Sequence, residues 1–214
     1  MKVEVCMETD KIFQILYKQI TNLELLPEKV LNLSDLAELF KVSRTPIKEA
    51  LIYLQAEGLV IRHGSHFMVT PLSLDRIKEI TEIRAVLEVQ ANIWAMNRAT
   101  DVELEKLEEL NNEILQLDND ASNRKIVELD RRFHDLMYQL TKNAQLAQIL
   151  KKLLDHYSRF WLFFPREMKP IPFFKETLNI IKAIKAKNEA ELRMATIAHI
   201  RESLDEISNY MAIS

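Results

Sequence analysis

The sequence predicts a mainly α-helical protein in two parts. Helices followed by a small β-hairpin occupy residues 1–71, and an all-α bundle occupies residues 72–214. Three observations predict this. The chain has only two glycines and six prolines in 214 residues, so few tight turns are encoded and long helices are favoured. Both glycines, Gly58 and Gly64, fall in one short stretch, where a helix has to stop and a hairpin has to turn. From Ser73 onward, apolar residues recur at helical spacing to the end of the chain.

The first helix is expected from Glu8 to about Leu25, with Ile12, Phe13, Leu16 and Ile20 on its apolar face and Pro27 ending it. A short helix follows from Leu33 to Phe40, burying Leu36, Ala37 and Phe40, and Lys41-Val42 makes a tight connection. A third helix starts after Ser43, a residue type suited to capping. Pro46 sits in its first turn, where a missing N–H costs nothing. Ile47, Ala50, Leu51 and Leu54 form its apolar face. Gly58 stops it. Residues 59–62 then read as a strand, 63–66 as a turn and 67–69 as the returning strand. In the second part the spacing predicts helices at about 73–98, 101–118, 122–141, 144–163, 174–187 and 189–211, with one break running from Pro165 to Pro172.

Composition excludes several classes. No apolar run approaches the roughly 20 residues that cross a bilayer, and the first residues lack the apolar centre of a signal peptide. A cytoplasmic location with no membrane partner is therefore expected. The single cysteine, Cys6, cannot pair within the chain, and no cysteine cluster suggests zinc. Net charge is −3, yet the stretch from Lys41 to Gly64 holds Lys41, Arg44, Lys48 and Arg62 against Glu49 and Glu57. That stretch is locally positive in an acidic protein.

Helix, tight turn, helix and hairpin is the order of a winged helix-turn-helix. In that arrangement the second helix of the pair enters the major groove, N-terminal residues foremost. Those residues here are Ser43, Arg44, Thr45, Pro46 and Lys48. Arginine can bond guanine O6 and N7 with two parallel hydrogen bonds, and lysine can reach guanine or phosphate. Hydroxyls and a helix N-terminus suit phosphate. The hairpin tip, His63-Gly64, is placed to touch the minor groove or the backbone. Spacing alone leaves open a small helical subdomain with a solvated arginine and lysine.

The wording of the segment says more. Val42-Ser43-Arg44-Thr45-Pro46-Ile47-Lys48-Glu49-Ala50-Leu51, followed by Leu54 and Glu57-Gly58-Leu59-Val60, resembles the GntR family of bacterial regulators. Lys48 stands where that family usually has arginine. Lysine lacks the bidentate fork, which puts base reading at that position in doubt. The resemblance implies a transcription regulator acting as a homodimer on double-stranded DNA, with two recognition helices on a palindromic operator.

The second part resembles the FCD effector domain of the FadR-type branch of that family, through Glu82-Ile83-Arg84-Ala85-Val86-Leu87-Glu88, Asp130-Arg131-Arg132-Phe133-His134, Asn143-Ala144-Gln145-Leu146 and the helix carrying His199. The resemblance implies a divalent metal (zinc, nickel or manganese) held by Asp130, His134 and His199. Asp130 and His134 are also i, i+4 on one helix. Where the family has a further histidine ligand, this chain has Thr177, a poor ligand. Arg84 and Arg159 stand where relatives often keep arginine, and an inward arginine would bind a small carboxylate effector bidentately; Thr177 would belong to the same pocket. The run Phe160-Trp161-Leu162-Phe163-Phe164 reads as core or dimer interface. Two alternatives to a metal-assisted sensor stand beside it: a metal-free sensor of the same family, and a metal-dependent hydrolase built on the three ligands.

Overall fold

The computed structural model describes residues 2–64, 66–163 and 167–211, with side chains from residue 8 onward. Ser65 of the expected turn, Phe164 of the aromatic run and Pro165 of the expected break lie outside them. The chain forms two compact units, Met1–Leu72 and Ser73–Ser214. No helix among the described residues is long and apolar enough to cross a membrane.

The first unit runs α1 (Lys2–Thr21), β1 (Val30–Leu31), α2 (Leu33–Phe40), α3 (Arg44–Ala56), β2 (Val60–His63) and β3 (His66–Val69). Ile12, Leu16 and Ile20 on one stripe of α1 are buried with Ile47, Ala50, Leu51 and Leu54 of α3, and Leu59, Val60, Phe67 and Val69 close the core from the wing. Burial of these side chains from both helices fixes the axis of α3. Thr9 of α1 also donates to the Glu49 carboxylate at 3.0 Å, which holds that acid on the inner side of α3.

α2 starts at Asn32, whose side chain accepts from the Ser34 N–H at 2.8 Å. It stops at Lys41, which takes a left-handed backbone (φ 56°). The Val42 N–H then returns to the Ala37 carbonyl at 3.0 Å. This closes the tight turn into α3.

Four sequence expectations need correcting here. α1 ends at Thr21 rather than near Leu25, because left-handed Leu23 (φ 56°) turns the chain so that the N–H groups of Glu24 and Leu25 both take the Gln19 carbonyl. Ser43 occupies the cap position of α3, but its hydroxyl makes no capping hydrogen bond. The wing is a three-stranded sheet in the order β1-β3-β2 rather than a bare hairpin, with Val30 opposite Met68 and Leu31 opposite Phe67. A two-residue strand is too short to show alternation, and only its pairing defines it. Finally, β2 and β3 reach one residue nearer the tip than expected, to His63 opposite His66, with Gly64 (φ 60°) in the turn.

The second unit runs α4 (Leu74–Arg98), α5 (Asp101–Leu115), α6 (Asn123–Leu140), α7 (Ala144–Phe163), α8 (Pro170–Lys185) and α9 (Glu189–Met211). α4 packs against α6, α7 and α9 and is the centre of the bundle. α8 begins at Pro170 rather than residue 174, since prolines in a first turn leave no N–H unpaired. α5 ends at Leu115, short of the expected residue 118.

α5 opens with a reciprocal capping box: the Thr100 hydroxyl accepts from the Glu103 N–H, and the Glu103 carboxylate accepts from the Thr100 N–H at 2.9 Å. Thr100→Ala should cost about 1 kcal/mol of stability, read as a shift in the urea midpoint with unchanged m-value.

The bundle interior is not wholly apolar. Arg84, Glu88 and Asn92 lie buried at i, i+4, i+8 on α4, and Asp130, His134 and Tyr138 repeat that spacing on α6. Two polar stripes therefore face inward from two packed helices.

Candidate functional site

Two surfaces carry chemistry, one in each unit. In the first, the N-terminal turn of α3 divides cleanly. Ser43, Arg44, Thr45 and Lys48 are exposed, whereas Pro46 and Ile47 are buried. The free Ser43 hydroxyl, a guanidinium, a second hydroxyl and an ammonium thus sit together at the positive end of a helix. Pro46, selected from sequence with these neighbours, is buried in the first turn of the helix while they are exposed. His63 and Gly64 are exposed at the wing tip. Next to His63, the Arg62 guanidinium lies 4.9 Å from the Phe67 ring centroid, an added cation one residue from the wing tip that the hairpin reading had not selected.

In the second unit the two polar stripes meet α9 around a cavity of about 50 Å³. Asp130, His134 and His199 each offer a ligand atom, all within 4.8 Å of one another. His134 Nε2 lies 3.3 Å from His199 Nε2 and 3.7 Å from Asp130 Oδ1. Asp130 Oδ1 is buried with no hydrogen-bond partner, an arrangement that leaves an acceptor uncompensated until a cation or donor meets it.

The ring of His134 is oriented from behind. Tyr138 donates to Glu88 Oε1 at 2.8 Å, so its oxygen is left to accept from His134 Nδ1 at 3.4 Å. A proton on Nδ1 leaves Nε2 as a bare lone pair facing Asp130 and His199. Burial lowers His134 to about 3 and His199 to about 4, although Glu88 pulls both upward. Both imidazoles are therefore neutral near pH 7. Burial, with Glu88 adding to it, raises Asp130 to about 7 against the pull of Arg84.

Arg84 and Glu88 form the buried ion pair beneath this cluster. Arg84 Nε donates to Glu88 Oε1 at 2.7 Å, and both side chains are at most 2% exposed. Burial pushes the Glu88 carboxyl up, but Arg84 and then His134 outweigh it and hold the group at about 2. The Arg84 guanidinium lies 4.5 Å from the Tyr157 ring centroid and lines the cavity.

Two neutral imidazole nitrogens and a carboxylate oxygen suit a borderline divalent ion such as zinc, nickel or manganese. The orphaned Asp130 oxygen and the preset His134 tautomer both fit that use.

The other sequence-selected residues lie elsewhere. Arg159 is as deeply buried as Arg84 but does not line this cavity; burial and then the neighbouring Arg76 charge hold it down at about 10. Thr177 is fully buried, its hydroxyl has no hydrogen-bond partner, and it does not line the cavity either. Its neighbour Glu176 does. From the aromatic run, Phe160 and Trp161 are buried and Phe163 is exposed, and Trp161 forms part of the cavity wall.

Glu88, Tyr138 and Tyr157 were not selected from sequence. The signal existed for the first two, each four residues beyond a selected residue on the same helix.

Comparison with known proteins gives two family matches. Residues 8–66 match the model described as bacterial regulatory proteins, gntR family, and residues 79–202 match the FCD domain. Among curated relatives, the chain is 28% identical over 207 residues to the uncharacterized HTH-type transcriptional regulator YdhC of Bacillus subtilis, covering 94% of this chain and 91% of that protein. It is 28% identical over 218 residues to the HTH-type transcriptional regulator LutR of the same organism, covering 89% and 97%. It is 25% identical over 203 residues to the HTH-type transcriptional repressor RspR of Escherichia coli, covering 92% and 87%. Among solved structures, E. coli McbR/YncC superposes with a TM-score of 0.80 at 21% identity, covering 94% of this chain and 97% of that one. A GntR-type regulator from Rhodococcus does so with 0.79 at 16%, also covering 94% and 97%. At these identities the two structures establish the shared fold.

Proposed function

The chain belongs to the gntR family of bacterial regulatory proteins and carries its FCD domain, and from that premise we propose that it is a cytoplasmic, homodimeric regulator whose hold on a palindromic operator is set by a small organic acid bound in the helical bundle. That it is a DNA-binding transcription regulator follows from the family itself. The family is not one of enzymes, which sets the hydrolase alternative aside.

The observation that carries the DNA half is the division of the α3 N-terminus. Ser43, Arg44, Thr45 and Lys48 point away from a core that fixes the helix behind them. Arg44 reads a base edge, while Ser43, Thr45 and Lys48 engage phosphate. His63 and Gly64 follow the backbone at the wing. Arg44→Ala should weaken specific binding by about 1–3 kcal/mol and relax the sequence preference at one base pair. Lys48→Ala should weaken all sequences alike and lower the salt slope by about 1. Fluorescence anisotropy with duplexes from the protein's own promoter region, titrated across salt, separates the two. An absence of salt-sensitive binding by the wild type would remove the proposal.

In the bundle, Asp130, His134 and His199 hold a divalent ion. When bound, the ion supplies a Lewis-acidic centre for an effector carboxylate. Arg84 gives the cavity wall a fixed positive charge, and Tyr138 holds His134 in the ligating tautomer. Effector binding regulates only by favouring one state of the protein over another.

A second reading is favoured by Thr177. With a hydroxyl where the family has an imidazole, three protein donors remain, and a sensor that binds its effector without metal uses the same cavity. Elemental analysis of protein purified without chelator distinguishes the two: one metal per chain supports the first reading, and none after incubation with zinc or nickel supports the second.

A further inference from the structure

The wing ends on two histidines. His63 closes β2 and stands opposite His66 at the start of β3, and both are exposed. Side chains alternate between the faces of a strand. Val60, Phe67 and Val69 turn one face of the hairpin into the core, so His63 and His66 share the other face with half-buried Ile61 and Met68. Residues directly opposite on one face have Cβ atoms about 4.5–5.5 Å apart, close enough for two imidazoles to meet the same stretch of phosphate backbone.

The surroundings leave this pair open and add positive charge to it. Among the described residues neither imidazole has a hydrogen bond, ion pair or ring contact. A Cβ built on Gly64, in the turn between them, would meet nothing within 4 Å, so the tip stands clear. Arg62 precedes His63, and the Phe67 ring 4.9 Å away holds its guanidinium at the edge of the hairpin. The charged groups of the packed elements lie elsewhere. Glu28 and Lys29 enter β1 at the far end of the sheet, where their backbone pairs with Val69. Glu57 follows α3 ahead of β2, and Asp35 is in the first turn of α2. Among the described residues none of these acids pairs with either histidine.

We propose that His66 is a DNA contact beside His63, and that the pair engages phosphate as imidazolium ions, so that binding DNA takes up protons at the wing. This rests on the wing touching DNA. Histidine is the side chain whose charge changes between about pH 5 and 8. Two imidazolium groups directly opposite repel one another, and phosphate held against them attracts both. The bound state therefore carries more protons than the free one, and by linkage the affinity rises as pH falls through that range. Arginine and lysine are charged across the whole of it, so a pH-dependent part of the binding points to histidine.

The test uses the full chain and two duplexes, one from its own promoter region and one of random sequence, because phosphate contacts carry no base preference. Calorimetry near neutral pH in two buffers of unlike ionisation enthalpy counts the protons taken up, and anisotropy titrations across salt read the slope at high and low pH. Uptake should be positive on both duplexes. From about pH 8 to about pH 6 the affinity should rise at least about threefold, and the salt slope should steepen by about 0.9 for each phosphate the pair neutralises. His63→Gln and His66→Gln should each lower the uptake, and the double variant should lose it with its thermal midpoint unchanged. Uptake that persists in the double variant overturns the proposal. Uptake lost with His63→Gln but untouched by His66→Gln removes His66 as a contact. Arg62→Ala isolates the premise: if it lowers the salt slope while the double variant keeps its pH dependence, the wing touches DNA and the proton uptake is wrong. If neither Arg62→Ala nor the double variant alters binding, the wing contact itself fails.

Discussion

Glu88→Ala should destabilise the helical bundle by about 3–5 kcal/mol, far more than removal of an exposed acid. The substitution strands the Arg84 guanidinium, 2% exposed, without its counter-ion, and it takes from Tyr138 the acceptor of its hydroxyl. Both chain tryptophans, Trp94 and Trp161, lie in the second unit. Tryptophan fluorescence in urea therefore reports on this unit, and its midpoint should fall. The double variant Arg84→Met, Glu88→Leu should recover most of the loss, because a buried pair replaced by apolar side chains of similar volume leaves no unpaired charge. A double variant as unstable as the single one would mean that the pair contributes through packing instead. The acid limb has a definite sign. Glu88 is held at about 2 when folded, against 4.5 as the ordinary value, so its stabilisation is present above about pH 4.5 and lost as pH falls toward 2. That limb should flatten in the double variant.

The same pair shows where the sequence stops being legible. Arginine and glutamate at i, i+4 is an ordinary ion-pair spacing for a solvent-facing stretch of helix, and nothing in residues 84–88 says that this one is inside. Burial is decided by α6, α7 and α9, which close over α4. Arg84 and Arg159 looked equivalent as inward arginines, and both are buried, but only the first meets the cavity. The helix-turn-helix was more open to reading because its reasons are local: the Ser43-Arg44-Thr45-Pro46 start, the apolar face from Ile47 to Leu54 and the stop at Gly58. What escaped there was also non-local. β1 is a strand only because β3 pairs with it, and α1 stops early through a left-handed leucine that propensity disfavours.

His134→Ala should abolish metal binding, taking zinc or nickel from one ion per chain to none on elemental analysis. Its Nε2 is the atom the other two ligands share, 3.3 Å from His199 and 3.7 Å from Asp130; without it those two groups have no common partner. A metal content unaffected by the change would place the ion elsewhere. Tyr138→Phe separates ligation from orientation. It removes no donor to the metal, yet it deletes the oxygen that takes the His134 Nδ1 proton. Both tautomers then become accessible, and metal affinity should fall by about 10–100-fold with stoichiometry unchanged at saturation. Tyr138→Phe also frees one Glu88 oxygen from a hydrogen bond, so stability must be measured alongside. A variant that loses affinity while its tryptophan unfolding midpoint moves little assigns Tyr138 a positioning role. One that loses both in proportion makes it only a support of the buried pair. Because Thr177 offers no third imidazole, three ligands leave little redundancy, and the orientation of each should matter more than it would in a four-ligand site.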